Sequence, residues 1–214
     1  MSFKTKKYQV IRGALPKQMA NFIFNYMLLQ RDAVDLMMKD NKVNPKNPFM
    51  GNRVDKQVPG CYAKYADWVM ETLLMFMIPI MKTKTGLELI PTYSYTRVYE
   101  KGDKLKRHKD RPSCEVSTTL HLGGDEWPIF IDPTGSNNVI DEEKEIYRPG
   151  APKGVQVDLK VGDMLIYSGC ELEHWRQSFT GNMCSQVFLH YNHANGPYAK
   201  TNLFDGRPLL GVPK

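Results

Sequence analysis

The chain has 214 residues, 42% of them hydrophobic, which suits one domain with a sizeable core and excludes a disordered or fibrous protein. Its net charge of +6, from 29 basic and 23 acidic residues, is spread along the chain and indicates a solvated surface rather than a dedicated nucleic-acid-binding patch. The four cysteines include no C-x-x-C pair, which argues against a zinc framework or a secreted disulfide scaffold.

The first elements predicted along the chain are a strand and a long helix. Residues 7–12 are typical of a short edge strand, and Leu15-Pro16 begins a helix, because proline is tolerated in the first turn. Apolar residues then recur every three or four positions up to about Lys39, which predicts one stripe facing the core. The stripe consists of Phe22, Tyr26, Leu29, Ala33 and Met37.

A long loop and a second helix follow. Residues 40–60 are rich in Asn, Pro, Lys and Gly, and a loop of that length is either a functional lid or a passive connection. A helix is predicted from Tyr62 to about Ile78, where Pro79 should kink or end it. Its core-facing side would carry Tyr65, Trp68, Val69, Thr72, Leu73 and Phe76.

From Thr85 onward the alternation of apolar and polar residues predicts strands. They fall at about 87–99, 114–122, 127–131, 155–161, 164–167 and 186–191, with a polar excursion at 133–150 and an irregular tail at 195–214. The predicted fold is α+β and mainly β, with a double-stranded β-helix (jelly-roll) core at about 87–192 and an N-terminal layer of two helices at about 15–84. We expect residues 1–214 to form this single domain.

The chemistry is concentrated in His108-Lys109-Asp110 and in a second histidine, His174. On an extended segment His108 and Asp110 point to the same side, and a histidine from a distant strand can complete a triad. Two histidines and one carboxylate leave metal positions open for a co-substrate and O₂, as non-haem Fe(II) oxygenases require. A zinc site is one alternative to the iron site, because zinc uses similar ligands, but no H-E-x-x-H sequence is present. The other alternative is that the two histidines are unrelated, one exposed and one in the core.

Two segments resemble a known family. Tyr99-Glu-Lys-Gly-Asp-Lys-Leu-Lys-Arg-His108-Lys-Asp110 is similar to the entry motif of the prolyl 4-hydroxylase-type Fe(II)/2-oxoglutarate dioxygenases. Leu159-Lys-Val-Gly-Asp-Met-Leu-Ile-Tyr167, followed by Glu173-His174, resembles the segment that carries that family's second histidine. The likeness covers about residues 87–192, and the overall style also resembles phage-encoded members.

The resemblance implies an activity and roles for particular residues. His108, Asp110 and His174 match the iron ligands, and Tyr99 matches the tyrosine that binds a carboxylate of 2-oxoglutarate. The expected cofactors are Fe(II), 2-oxoglutarate as co-substrate and O₂. The implied reaction hydroxylates a C–H bond, foremost of a prolyl or other peptidyl residue, and releases succinate and CO₂.

The sequence departs from the family where a cation should bind the distal carboxylate of 2-oxoglutarate. The family places Arg or Lys nine or ten residues after the second histidine, whereas residues 183–186 here are Met-Cys-Ser-Gln. Arg176 is the first substitute, because it lies two residues after His174 on an extended segment, and its alternative role is a surface salt bridge. Arg97 is the second, on the same predicted face as Tyr95 and Tyr99.

Other residues near the triad have smaller predicted roles. Arg111 could hold the second oxygen of the Asp110 carboxylate, and Thr119 and His121 could line the pocket if their strand face is inward. His190 could contact the co-substrate from the last strand. None of His121, His190 and the neighbouring His193 has a partner at ligand spacing.

Two rival functions stay open. The missing cation favours a catalytically degenerate jelly-roll that only binds or supports a partner, and the positive charge favours an oxygenase that modifies nucleic acid. A peptide, protein or small-molecule substrate is expected ahead of nucleic acid. The most apolar run, residues 73–81, is nine residues and too short for a bilayer, so we expect no membrane partner and a cytoplasmic location, in a host cell if the protein is viral. The sequence specifies neither the substrate nor the oligomeric state.

Overall fold

The computed structural model describes residues 3–214, which form two main antiparallel sheets and two long helices. The helices are α1 Phe3–Lys6, α2 Lys17–Lys39, α3 Trp68–Thr85 and α4 Ala199–Asn202. The strands are β1 Tyr8–Ile11, β2 Tyr62–Tyr65, β3 Leu89–Glu100, β4 Leu105–His108, β5 Val116–Gly124, β6 Ile129–Ile131, β7 Val139–Asp141, β8 Ile146–Tyr147, β9 Val155–Val157, β10 Met164–Tyr167, β11 His174–Arg176 and β12 Met183–His193.

The larger sheet has the strand order β1-β10-β5-β12-β3-β2, and the smaller one has the order β4-β11-β6-β9. Strands β7 and β8 form a separate hairpin within the polar excursion at 133–150. Most neighbours in the sheets are distant in sequence, so residues from separate strands are brought side by side. The prediction of a mainly β chain with an N-terminal helical layer is confirmed, and the structure adds that the sheets are antiparallel.

The two faces of the larger sheet have different partners. On one face, apolar residues of β5 and β12 pack against α2 and α3, as Leu120 and Val187 do with Met27 and Met77. On the other face, the sheet packs against the smaller sheet. Alternation along each strand therefore sends one set of side chains to the helices and the other set into the space between the sheets.

The predicted core stripe of α2 is confirmed only in part, because Tyr26 and Met37 are partly buried and pack against the core whereas other members do not. Phe22 is 72% exposed and Leu29 is 71% exposed, whereas the buried residues of this helix are Ala20, Ile23, Met27 and Val34. Both sides of the helix are apolar, so periodicity alone does not decide which one meets the sheet. The sheet packs against the side that carries the small residue Ala20.

The second long helix also differs from the prediction. Residues Tyr62–Tyr65 form strand β2 at the edge of the larger sheet, and α3 begins only after Asp67, whose carboxylate accepts hydrogen bonds from the amides of Val69 and Met70. Aspartate at this position satisfies free amides of the first turn, which fixes the start of the helix. The predicted core residues Trp68 and Phe76 are 71% and 58% exposed.

Pro79 does not end α3, which continues to Thr85 and stops at Gly86 in a left-handed conformation (φ 66°). Proline removes the hydrogen bond that the carbonyl of Met75 would accept. Met75 is 47% exposed, so water can replace that bond and the helix can continue. Among the described residues, no helix is long and apolar enough to cross a membrane.

The tail after residue 195 is irregular, as predicted, but it is firmly attached. Arg207 forms a buried ion pair with Glu71 of α3 at 2.7 Å, and Asp205 binds Arg111 at 2.6 Å. The amide of Gly211 also donates to Glu71. The end of the described chain thereby contacts both α3 and the residue that follows Asp110.

Candidate metal centre and its pocket

Strand pairing brings the two histidines together. His108, the last residue of β4, is directly opposite His174, the first residue of the antiparallel strand β11. Their ring centroids are 4.3 Å apart. Asp110 follows on the same side, and its amide donates to the carbonyl of Gly169 at 2.9 Å. The three residues, called the triad below, thus meet because of sheet register and not because of proximity in sequence.

The geometry of the triad fits a metal ion. Oδ1 of Asp110 lies 3.5 Å from Nε2 of each histidine, and the three candidate ligand atoms lie within 4.8 Å of one another. Nδ1 of His108 contacts the carbonyl of Lys106 at 2.8 Å, and Nδ1 of His174 contacts that of Leu172 at 3.0 Å. A carbonyl can only accept, so each Nδ1 carries the proton and, in the neutral rings, each Nε2 presents its lone pair toward the carboxylate. Metal-binding histidines commonly have this second hydrogen bond.

The second oxygen of Asp110 is held by Ser117, which donates to it at 2.8 Å and also contacts Nδ1 of His190 at 3.0 Å. Burial would raise the pKa of Asp110, but the two neighbouring histidines, whose protonated rings donate to it and carry positive charge, hold that pKa well below its usual range. A Cβ at Gly169 would lie 2.3 Å from Oδ2 of Asp110, so a larger residue there would push the carboxylate away. Neither Ser117 nor Gly169 was predicted as a site residue.

Arg111 does not hold Asp110, contrary to the prediction. Its guanidinium binds Asp205 through two hydrogen bonds, at 2.6 and 2.8 Å, and lies over the ring of Tyr93 at 4.5 Å. The tail offers a full carboxylate in a bidentate geometry, which an arginine fork prefers to one shared oxygen. Arg111 therefore forms part of the wall of the pocket.

A pocket of about 270 Å³ opens beside the triad. Most of its walls are polar or aromatic side chains from both sheets. They include Tyr65, Tyr93, Tyr95, Arg97, Tyr167, Phe188 and His190. Thr119 and His121, which were expected to line it, are buried deeper on the inward face of β5 and are not part of its lining.

Arg176 is completely buried rather than on the surface, so the salt-bridge alternative is wrong. Its guanidinium donates to the carbonyl of Trp127 and to the hydroxyl of Thr119, and lies 5.1 Å from the centre of the Trp127 ring. Its Nε has no partner, and no carboxylate among residues 3–214 forms an ion pair with it. Burial lowers the pKa of Arg176, although the nearby Cys184, Tyr99 and Tyr167 raise it in part.

Arg97, the second predicted cation, already has a carboxylate partner. It binds Asp55 at 2.6 Å and also donates to the hydroxyl of Tyr99 at 3.3 Å. The same guanidinium donates to the side-chain oxygen of Gln57 at 2.7 Å. Asp55 and Gln57 belong to the long loop at 40–60, and only the length of that loop pointed to a functional part.

Solved structures with a similar fold include prolyl hydroxylases and another protein crystallised with 2-oxoglutarate. A Pseudomonas putida prolyl-4-hydroxylase aligns over 89% of this chain and 95% of its own, with a TM-score of 0.55 and 14% identity. HygX from Streptomyces hygroscopicus, crystallised with nickel and 2-oxoglutarate, aligns over 90% and 85%, with a TM-score of 0.60 and 14% identity. The viral collagen prolyl hydroxylase of Paramecium Bursaria Chlorella virus-1, in complex with 2-oxoglutarate, aligns over 88% and 97%, with a TM-score of 0.54 and 10% identity.

The chain thus has the fold of the 2-oxoglutarate-dependent oxygenases. Within that class, both the bacterial and the viral prolyl hydroxylases are among the structures it resembles. Neither a protein-family model nor a curated protein matches the sequence. At 10–14% identity the likeness is one of fold, so the function rests on the site itself.

Proposed function

We propose that this chain is an Fe(II)- and 2-oxoglutarate-dependent dioxygenase that hydroxylates a C–H bond and releases succinate and CO₂. One arrangement carries the proposal: a two-histidine, one-carboxylate triad with a buried arginine that has no carboxylate partner. The first part matches the ligand set of non-haem Fe(II) oxygenases. The second is costly unless an anion arrives to pair with it, and 2-oxoglutarate is a dicarboxylate.

In this proposal the triad holds the metal, with Ser117 fixing the orientation of Asp110. Fe(II), when bound there, supplies open coordination positions for 2-oxoglutarate and O₂. Arg176 and Tyr99 are fully buried outside the lining of the pocket, and they would bind the co-substrate from there: Arg176 would pair with its distal carboxylate, and Tyr99 would hydrogen-bond to a carboxylate. The pKa of Tyr99, raised by burial to about 12, keeps this phenol protonated and able to donate. Arg97 is the weaker candidate, because in this structure it pairs with Asp55, whereas Arg176 has no carboxylate partner among the described residues.

The leading substrate is a prolyl or other peptidyl residue, with a small molecule as the second. Two of the similar structures are named as prolyl hydroxylases, and the aromatic walls of the pocket suit apolar contact with the ring of proline. We further propose one domain over residues 1–214 with a double-stranded β-helix core at about 87–192, acting in the cytoplasm. The four cysteines are free thiols, which suits a reducing compartment.

The burial of Arg176 also bears on the rival functions. A degenerate binding module gains nothing from an unpaired buried cation, which a hydrophobic residue could replace without loss. Arg176 does not support a nucleic-acid oxygenase either, because an enclosed guanidinium cannot contact a phosphate backbone. Both observations favour the dioxygenase.

An anaerobic absorption experiment tests the proposal. Fe(II) and 2-oxoglutarate added to the protein should give a visible metal-to-ligand charge-transfer band, which His174→Ala should abolish. Succinate formation stimulated by a panel of prolyl peptides and small molecules should then identify the substrate. Absence of the band in the correctly folded wild-type protein would refute the proposed function.

A further inference from the structure

Residues 52–60, called the strap below, lie across the pocket and are fixed at both ends. At one end the backbones of Asn52 and Ala63 exchange two hydrogen bonds of 2.9 Å. At the other, the amide of Cys61 donates to the carbonyl of Val58, which is buried in the cluster around Tyr99. The middle of the strap therefore has a defined place over the pocket, although Lys56 is exposed to solvent.

The first inward side chain of the strap is Asp55, whose carboxylate is surrounded by donors from β3. One oxygen accepts from Nε and a terminal nitrogen of Arg97, at 2.9 and 2.6 Å, and from the hydroxyl of Tyr95 at 2.7 Å. Burial would raise the pKa of Asp55, but Arg97 and Tyr95 lower it. A guanidinium and a phenol that converge on one carboxylate make a recognition site for that group.

The second inward side chain is Gln57, which reaches the triad. Its side-chain oxygen accepts from Arg97 at 2.7 Å, and since arginine can only donate, the amide nitrogen must face the other way. That nitrogen lies 2.9 Å from Nε2 of His108. Nδ1 of His108 donates its proton to the carbonyl of Lys106, so Nε2 of the neutral ring carries a lone pair. The Gln57 amide donates to that lone pair, which a metal would use. Gln57 in this position and a metal ion on His108 therefore exclude each other.

Resting on the proposed function, we propose that the strap is an internal pseudosubstrate. Asp55 and Gln57 occupy the substrate side of the pocket, and the substrate that replaces them presents a carboxylate to Arg97 and Tyr95. The substrate is then an acid, either a small carboxylic acid or an acidic peptide. Metal binding at His108 breaks the contact of Gln57 with the triad and loosens the middle of the strap, which then depends on the hydrogen bonds that Arg97 and Tyr95 donate to Asp55.

Metal affinity tests the Gln57 contact without any assay of activity. Ni²⁺ titrated calorimetrically should bind Gln57→Ala about 3- to 10-fold more tightly than the wild type, because the metal no longer displaces one hydrogen bond. Gln30→Ala, which removes a partly buried glutamine that binds Tyr26 and Asp67, is the matched control and should bind as the wild type does. Trypsin should also cleave after Lys56 faster once Ni²⁺ is added.

A chemical rescue tests the carboxylate site. Asp55→Ala leaves Arg97 without its carboxylate, so acetate or the peptide Asn-Arg-Val-Asp-Lys-Gln-Val-Pro-Gly should bind saturably and raise its melting temperature. Rescue by acetate shows that the position of Asp55 accepts a carboxylate from another molecule, and rescue by the peptide alone indicates an acidic peptide. Asp35→Ala, which frees the half-exposed Arg53 instead, is the control and should show no such effect.

The outcomes separate the two proposals. If neither the wild type nor Gln57→Ala binds Ni²⁺, the proposed function fails. If both bind it with equal affinity and cleavage at Lys56 is unchanged, the proposed function survives and the pseudosubstrate is refuted. If Asp55→Ala responds to the carboxylates no more than Asp35→Ala does, the acidic substrate is refuted.

Discussion

Replacing Arg176 by methionine should separate stability from co-substrate binding. The guanidinium is completely buried with two neutral acceptors, the carbonyl of Trp127 and the hydroxyl of Thr119. Burying a charge costs several kcal/mol, and hydrogen bonds to a charged group return about 1.5–3 kcal/mol each. The methionine variant no longer buries a charge, but it loses the two hydrogen bonds and leaves the Trp127 carbonyl without a donor. We therefore expect the free energy of unfolding, without co-substrate, to stay within about 2 kcal/mol of the wild type.

The effect on 2-oxoglutarate should be much larger. Removing one partner of a buried charge pair costs about 2–5 kcal/mol of binding free energy. At about 1.4 kcal/mol per tenfold, the affinity should fall at least about 30-fold. Calorimetric titration of 2-oxoglutarate into Ni²⁺-loaded protein measures this loss, and urea unfolding of the metal-free protein measures the stability.

Arg107→Met is the matched control, since Arg107 is a buried arginine that does have carboxylate partners. It binds Asp132 at 2.5 Å and Glu173 at 2.8 Å, so its removal leaves two buried carboxylates uncompensated and should cost about 3–5 kcal/mol. The reasoning is refuted if Arg176→Met loses as much stability as Arg107→Met and still binds 2-oxoglutarate like the wild type. That result would make Arg176 a purely structural residue.

Three further perturbations have defined outcomes. His174→Ala should abolish tight Ni²⁺ binding in a calorimetric titration, whereas His193→Ala, a histidine outside the triad, should not; equal affinities would exclude His174 as a ligand. Burial and the charge of Arg176 lower the pKa of His121 from 6.5 to about 4. Between these two pH values the unfolded chain therefore binds more protons than the folded chain. The free energy of unfolding consequently falls as the pH drops from 6.5 toward 4. His121→Gln should remove about 2–3 kcal/mol of that loss in urea unfolding at pH 7 and pH 4.5, and an unchanged pH dependence would contradict the assignment. Arg207→Met leaves the buried Glu71 carboxylate without its guanidinium partner and should cost about 3–5 kcal/mol, which lowers the melting temperature by roughly 6 °C or more; a shift under 2 °C would contradict it.

The shared face of His108 and Asp110 could be predicted from sequence because strand alternation is regular. The position of His174 opposite His108 depends on the register between β4 and β11, two strands distant in sequence, which alternation does not fix. The inward position of Arg97 follows from alternation as well. The partner of Arg97 does not, because Asp55 lies in a loop without periodicity and its contact depends on how that loop crosses the sheet.

The helices were harder to predict than the strands. In α2 the stripe through Phe22 and Leu29 is as regular as the buried one through Ile23 and Met27, so only packing against the sheet distinguishes them. The segment beginning at Tyr62 continues into helix-forming residues, yet its backbone pairs with β3. Such pairing depends on a strand distant in sequence, which local propensity does not register.

The contact between Asp205 and Arg111 has a consequence for biosynthesis. A chain emerges from the ribosome with its N-terminus first, so His108, Asp110 and His174 are made before Asp205 and Arg207. Until these late residues emerge, Arg111 lacks its carboxylate beside Asp110, and Glu71 lacks its guanidinium. The nascent protein can pair its sheets early but completes this wall of the pocket last. A chain that ends prematurely near residue 200 would therefore form its sheets but lack the Asp205–Arg111 and Arg207–Glu71 ion pairs beside the site.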